Sequence, residues 1–91
     1  MNSITFKAIT DYVVVNEGEN LLFNSAKRKN YMVKIIKLDV DNVYLMAKDA
    51  RGFRYCSDSI LACKSKLSSM FCSHIVKHRK GRKVLATYYP Y

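Results

Sequence analysis

Proline and glycine are scarce in this chain, one and three residues in 91, and no polar low-complexity tract interrupts it. About half of the residues are apolar, so the whole length has the means to fold. Long apolar runs are missing too: Tyr12 to Val15 and Leu21 to Phe23 fall far short of the ~20 residues that span a bilayer. At the N-terminus, Lys7 sits inside the apolar pattern and no small-residue cleavage site follows, so the segment does not read as a secretory signal. These absences point to a cytoplasmic protein with no membrane partner. Paired cysteines are lacking as well. Cys56, Cys63 and Cys72 are odd in number and irregularly spaced, which argues against a disulfide framework and makes them buried small hydrophobes in a reducing compartment.

Acidic residues are the last shortage, and it is local. Residues 1–50 hold seven Lys/Arg and six Asp/Glu, a net of +1, whereas residues 51–91 hold nine Lys/Arg and the single acid Asp58, a net of +8. The sum is the formal +9, with almost all of the excess in the second half. Charge of one sign gathered in this way builds a field that attracts polyanions. One domain, residues 1–91, accounts for the length, since a chain of this size buries roughly 60–65% of its unfolded surface and supports one modest core.

Short alternating segments dominate what is present. SITFKAI places Ile4, Phe6 and Ala8 on one side and Thr5 and Lys7 on the other, the period of a half-buried strand. DYVVV and LLFN are further apolar runs around the turn NEGEN, and SAKRKN is a polar loop carrying Lys27, Arg28 and Lys29. NYMVKIIKL, VYLMAK and FRYC, separated by the turn formers DVDN and DARG, read as a three-stranded meander over residues 31–56. In SDSILACKSKLSSMFCSHIV the apolar residues recur at three and four with Ser57 or Asp58 as an N-cap, which favours a helix from about Asp58 to Ser69. FCSHIVK and KVLATYY are also strand material, so a hairpin near 71–77 and 83–89 is expected around Gly81. Strand and helix remain alternatives over residues 58–78.

The segment NYMVKIIKLDVDNVYLMAKDARGFRYCSDSILACKSKL, residues 30–67, resembles the core of Tudor and related SH3-like small barrels. The shared format is an aromatic opening a strand, a charged turn, a second strand, an Asp-x-x-Gly-type turn, a third strand and a short turn leading to a leucine. The resemblance implies a mainly β (or α+β) fold, an SH3-like barrel of about five strands with one short helix and a C-terminal hairpin. It also implies binding of nucleic acids or proteins through loops and one sheet face. Tyr31 stands where the aromatic cage of a Tudor domain begins, but Ala50 occupies the turn position where that cage needs an aromatic.

Chemistry-bearing constellations are thin. Cys56, Cys63, Cys72, His74 and His78 lack the paired Cys-x2-Cys knuckle of a zinc site, and Cys72 with His74 has no neighbouring acid to orient a nucleophile. Asp39, Asp41 and Asp49 stand in turns, where carboxylates bond to backbone. No glycine-rich phosphate loop is present. No cofactor, metal or catalysis is expected. The basic segment KHRKGRK supplies Lys77, Arg79, Lys80, Arg82 and Lys83; Lys27, Arg28, Lys29, Arg51 and Arg54 add to it, with Tyr31 and Tyr88 available for stacking. Cations that neutralise phosphate next to tyrosines that stack on bases are the footprint of a nucleic-acid-binding protein, DNA or RNA, with duplex DNA slightly favoured for a projecting β-arm. The alternative is a small interaction module or inhibitor that docks on an acidic protein surface.

Overall fold

A computed structural model describes residues 2–90. Strands β1 (Ser3–Ala8) and β2 (Asp11–Asn16) form a hairpin of their own. Six further strands form one antiparallel sheet: β3 (Glu19–Asn24), β4 (Tyr31–Leu38), β5 (Asn42–Asp49), β6 (Gly52–Ser59), β7 (Ile75–Lys80) and β8 (Lys83–Tyr88), in the order β6-β5-β4-β3-β7-β8. Helix α1 (Ile60–Phe71) links β6 to β7. The protein is therefore mainly β, as expected, and the 31–56 meander forms. The five-stranded barrel does not: neither sheet closes. Closure would require the edges β6 and β8 to pair, and β1 and β2 pair only with one another.

One face of the large sheet is the core. Leu21, Phe23, Val33, Ile35, Leu38, Val43, Ala47 and Val76 are buried there. Helix α1 and the β1–β2 hairpin cover that face, because Ile60, Cys63, Leu67 and Phe71 recur along one side of the helix and Ile4, Phe6, Ala8, Val13 and Val15 along one side of the hairpin. Phe71 joins all three parts, with ring centroids 5.3 Å from Phe6, 5.9 Å from Phe23 and 5.2 Å from Tyr88. The radius of gyration, 12.1 Å, is what a compact chain of this length has.

The helix starts two residues later than its pattern suggests. Ser59 is the N-cap, its Oγ accepting from the Ala62 N–H at 3.1 Å, because Ser57 and Asp58 are held in β6 opposite Tyr44 and Val43. Asp58 instead takes the Lys66 ammonium at 2.7 Å. The C-terminal hairpin is likewise displaced, to 75–80 and 83–88, with Gly81 in the turn at φ 61. Of the cysteines only Cys63 is buried; Cys56 and Cys72 are exposed, since β6 lies at the sheet edge and Cys72 caps the helix end.

Glu19 and His78 are charged or titratable yet buried, and they face each other from β3 and β7 with Oε1 2.7 Å from Nε2. Burial alone would raise the Glu19 carboxyl, but bonds from the Asn16 N–H (2.9 Å) and from His78 outweigh it and hold the group below its ordinary value of 4.5. A lowered folded-state value means that this carboxylate stabilises the protein in full above about pH 4.5 and that its contribution is lost as pH falls through the folded value. Thermal melts of wild type and Glu19→Gln should accordingly differ most near neutrality and converge as pH falls below 4.5. A gap that stayed constant down to acid pH would remove the carboxylate from this account.

Candidate nucleic-acid interface

The basic hairpin forms, but it does not project as an arm: β7 pairs with β3 along its whole length, and the Gly81 carbonyl accepts from Asn20 Nδ2 at 3.1 Å. Lys80 and Lys83 pair across its last rung with Gly81 and Arg82 in the turn, and all four are exposed. Lys77 is exposed on β7, whereas Arg79 is half-buried: its Nε donates to Asn20 Oδ1 at 2.9 Å and its guanidinium reaches Met32 Sδ at 3.6 Å. Arg79 thus lies along the solvent face of the sheet. Val84 and Leu85, one of which strict alternation would send into the core, are 46% and 45% exposed. The pairing slips between His78 and Arg79, so Leu85 becomes a bulge and neither side chain turns inward.

The second basic cluster does not join the first. Lys27, Arg28 and Lys29 are in the β3–β4 loop beyond Asn24, while Lys80 pairs with Glu19 at the other end of the same strand. Six residues of strand, roughly 20 Å, separate them. Arg51 lies in the β5–β6 turn at the loop's end of the sheet, and Arg54 is on the helix side of β6, beside Asp58 and Lys66 in a cleft of about 120 Å3. The two tyrosines assigned to stacking face inward. Tyr31 packs near Phe23 and carries the Arg28 guanidinium 4.6 Å above its ring. Tyr88 packs on Phe71, and burial pushes its hydroxyl upward in pKa. Both are therefore core-supporting residues, because strands β4 and β8 present them to the same face as Val33 and Val76.

What the register does assemble is the opposite face of the large sheet. Opposed pairs place Phe53 beside Lys48, Tyr44 beside Lys37, Met46 between Tyr55 and Lys34, and Asn20 between Lys34 and Arg79. A slip in the β4–β5 pairing at Ile36 turns Lys37 outward next to Tyr44 and sends Leu38 to the core. The outward positions of β3 to β7 thus carry five cations, Lys34, Lys37, Lys48, Lys77 and Arg79, and no acid. Among the described residues the only ion pairs are Lys66 with Asp58 and His78 with Glu19, so none of the five is neutralised by an acidic partner. Tyr44, Phe53 and Tyr55 are 41%, 62% and 69% exposed on this face. Their strand alternation was visible in VYLMAK and FRYC, but nothing in the segments shows that they share a face with Lys34 and Arg79.

The cysteine, histidine and aspartate side chains that the sequence singled out bond to their near neighbours. Cys72 Sγ bonds to the Ser68 carbonyl at 3.6 Å, and His74 Nδ1 lies 2.8 Å from Ser73 Oγ and 3.0 Å from the Met70 carbonyl. Burial pushes the Cys63 thiol up to about 11, so it stays protonated. The carboxylates of Asp39 and Asp49 accept backbone N–H groups of Val40 and Arg51, each at 2.8 Å. Among the described residues no three His, Cys, Asp or Glu side chains gather as a metal site, and no helix is long and apolar enough to cross a membrane. Comparison with family models, with curated proteins and with solved structures returns no match.

Proposed function

We propose that this protein binds nucleic acid without catalysing a reaction on it, holding the phosphate backbone through the β7–β8 hairpin and the cationic sheet face beside it. One observation carries the reading: Lys34, Lys37, Lys48, Lys77 and Arg79 share a surface with no acidic side chain, and the exposed Lys80, Arg82 and Lys83 continue the positive charge to the β7–β8 turn. A surface that served solubility alone would mix both signs. Clustered cations without acidic partners gain instead by displacing the counterions of a polyphosphate chain.

Salt dependence tests the idea. With three to five phosphates engaged, log K should fall against log salt with a slope of roughly −3 to −4.5. A flat titration between low and moderate salt removes the electrostatic reading. Copurifying absorbance at 260 nm that high salt strips away is the quicker check.

A second reading, docking on another protein, draws on strand β8. It is an edge strand with Val84 and Leu85 exposed, and such an edge accepts a partner strand. An acidic protein surface would suit the flanking cations equally.

A further inference from the structure

The exposed aromatics on the cationic face lie outside the buried core, and none is needed to grip a phosphate backbone. Phe53 and Tyr55 stand two residues apart on edge strand β6, with centroids 5.7 Å apart at an interplanar angle of 83°. Tyr44, on β5, is opposite Ser57 and therefore diagonal to Tyr55. Between the two tyrosines lies a shallow hollow of about 330 Å3 whose other walls include Ile36 and Ser57. We infer that this face binds single-stranded nucleic acid, with unpaired bases stacking on Tyr44, Phe53 and Tyr55 while Lys34, Lys37, Lys48 and Arg79 hold the phosphates of the same strand. The inference deepens the reading given above and rests on it.

Three features select an unpaired strand over other polyanions. A duplex keeps its bases stacked inside and offers no ring faces to exposed aromatics, so Tyr44, Phe53 and Tyr55 would be wasted on it. An acidic peptide would satisfy the lysines but not three aromatic rings placed among them. The arrangement also has the right order across the sheet: the rings cluster on β5 and β6, and Lys34 and Arg79 follow along one row on β4 and β7, towards the basic hairpin. Neighbouring strands are ~4.8 Å apart, so this row spans about 20 Å, room for several nucleotides lying across the strands. At the Ile36 bulge Lys37 turns out beside Tyr44, and Ile36 itself is one wall of the hollow.

Fluorescence anisotropy with labelled oligo-dT and oligo-rU of about 12 nucleotides, a duplex with the same number of phosphates, and polyglutamate as competitor tests this directly. The wild-type protein should prefer the single strands to the duplex, and polyglutamate at equal charge should not displace them. Tyr55→Ala and Tyr44→Ala should each lose roughly five- to hundredfold of single-strand affinity, with duplex affinity unchanged. Tyr55→Leu keeps an apolar side chain but no ring and should lose binding as Ala does, whereas Tyr55→Phe should retain it; this pair separates stacking from any effect on folding. Tyr12→Ala, at a 72% exposed tyrosine on the separate β1–β2 hairpin, should bind as wild type. The chain has no tryptophan, so its tyrosine emission should be quenched by single strands and not by the duplex. Equal binding of duplex and single strand, with the ring variants unaffected, overturns the stacking site and leaves the backbone reading intact. Absence of binding to any of the nucleic acids overturns both.

Discussion

A variant carrying Lys80→Gln, Arg82→Glu and Lys83→Glu is expected to bind every nucleic acid, single-stranded or duplex, more than tenfold more weakly near 0.1 M salt, with its melting temperature almost unchanged. The three substitutions remove one, two and two units of positive charge, five in all. The three side chains are exposed and the Gly81 carbonyl bond to Asn20 is left in place, so the field that a phosphate meets there changes while no buried packing is lost. Glutamine is the better choice at position 80 because Lys80 pairs directly with Glu19, and a second carboxylate there would set like charges opposite one another. Arg79 is left alone for the same reason of clean attribution: its bond to Asn20 ties β7 to β3, and removing it would leave the buried Asn20 Oδ1 without a donor. The salt dependence should also become shallower, by about two to three units of slope. Wild-type affinity in this variant, measured beside an unchanged circular dichroism melt, would reduce the hairpin to a solvated turn and make docking on an acidic protein surface the better reading. The test differs from the ring substitutions, which act on single strands only.

The largest loss of stability is expected at Phe71. Its ring is fully buried and meets Phe6 of the small hairpin, Phe23 of the large sheet and Tyr88 of the last strand. Truncation to alanine removes those contacts and leaves a cavity at the junction of helix, hairpin and sheet, which costs roughly 3–5 kcal/mol. A domain of this length has only about 5–14 kcal/mol of net stability, so Phe71→Ala should melt on the order of 15–30 °C lower or fail to fold at physiological temperature. Leu61→Ala, at the second position of the same helix but 80% exposed, should stay within about 0.5 kcal/mol of wild type. If denaturant titration places Phe71→Ala within ~1 kcal/mol of wild type, the helix is not docked where the aromatic cluster puts it.

The sequence by itself determined the local facts about this protein. Alternation in SITFKAI, NYMVKIIKL and VYLMAK specifies strands, because a period of two can bury one face only in extended backbone. The three- and four-residue spacing of Ile60, Cys63, Leu67 and Phe71 specifies a helix, and Gly81 between basic flanks specifies a cationic turn. The charge excess of residues 51–91 was likewise plain to read.

Only the tertiary structure decided which of these strands are neighbours and which face each residue joins. Tyr31 and Tyr88, the tyrosines expected to stack, are turned to the core by pairing with Phe23 and Val76, whereas Tyr44 and Tyr55 are turned to solvent by pairing with Lys37 and Met46. Leu85 left the core through a one-residue slip in β8, and the β3–β4 loop was carried to the far end of the sheet from the hairpin it had seemed to reinforce. The physical reason is that alternation fixes which residues within a strand share a face, whereas hydrogen-bonded register fixes which strands share it. Register here joins positions as distant as Asn20 and Arg79, and a single inserted residue reverses every side chain beyond it. Local propensity holds no record of such partners, so the acid-free face of Lys34, Lys37, Lys48, Lys77 and Arg79 exists only once the sheet has formed.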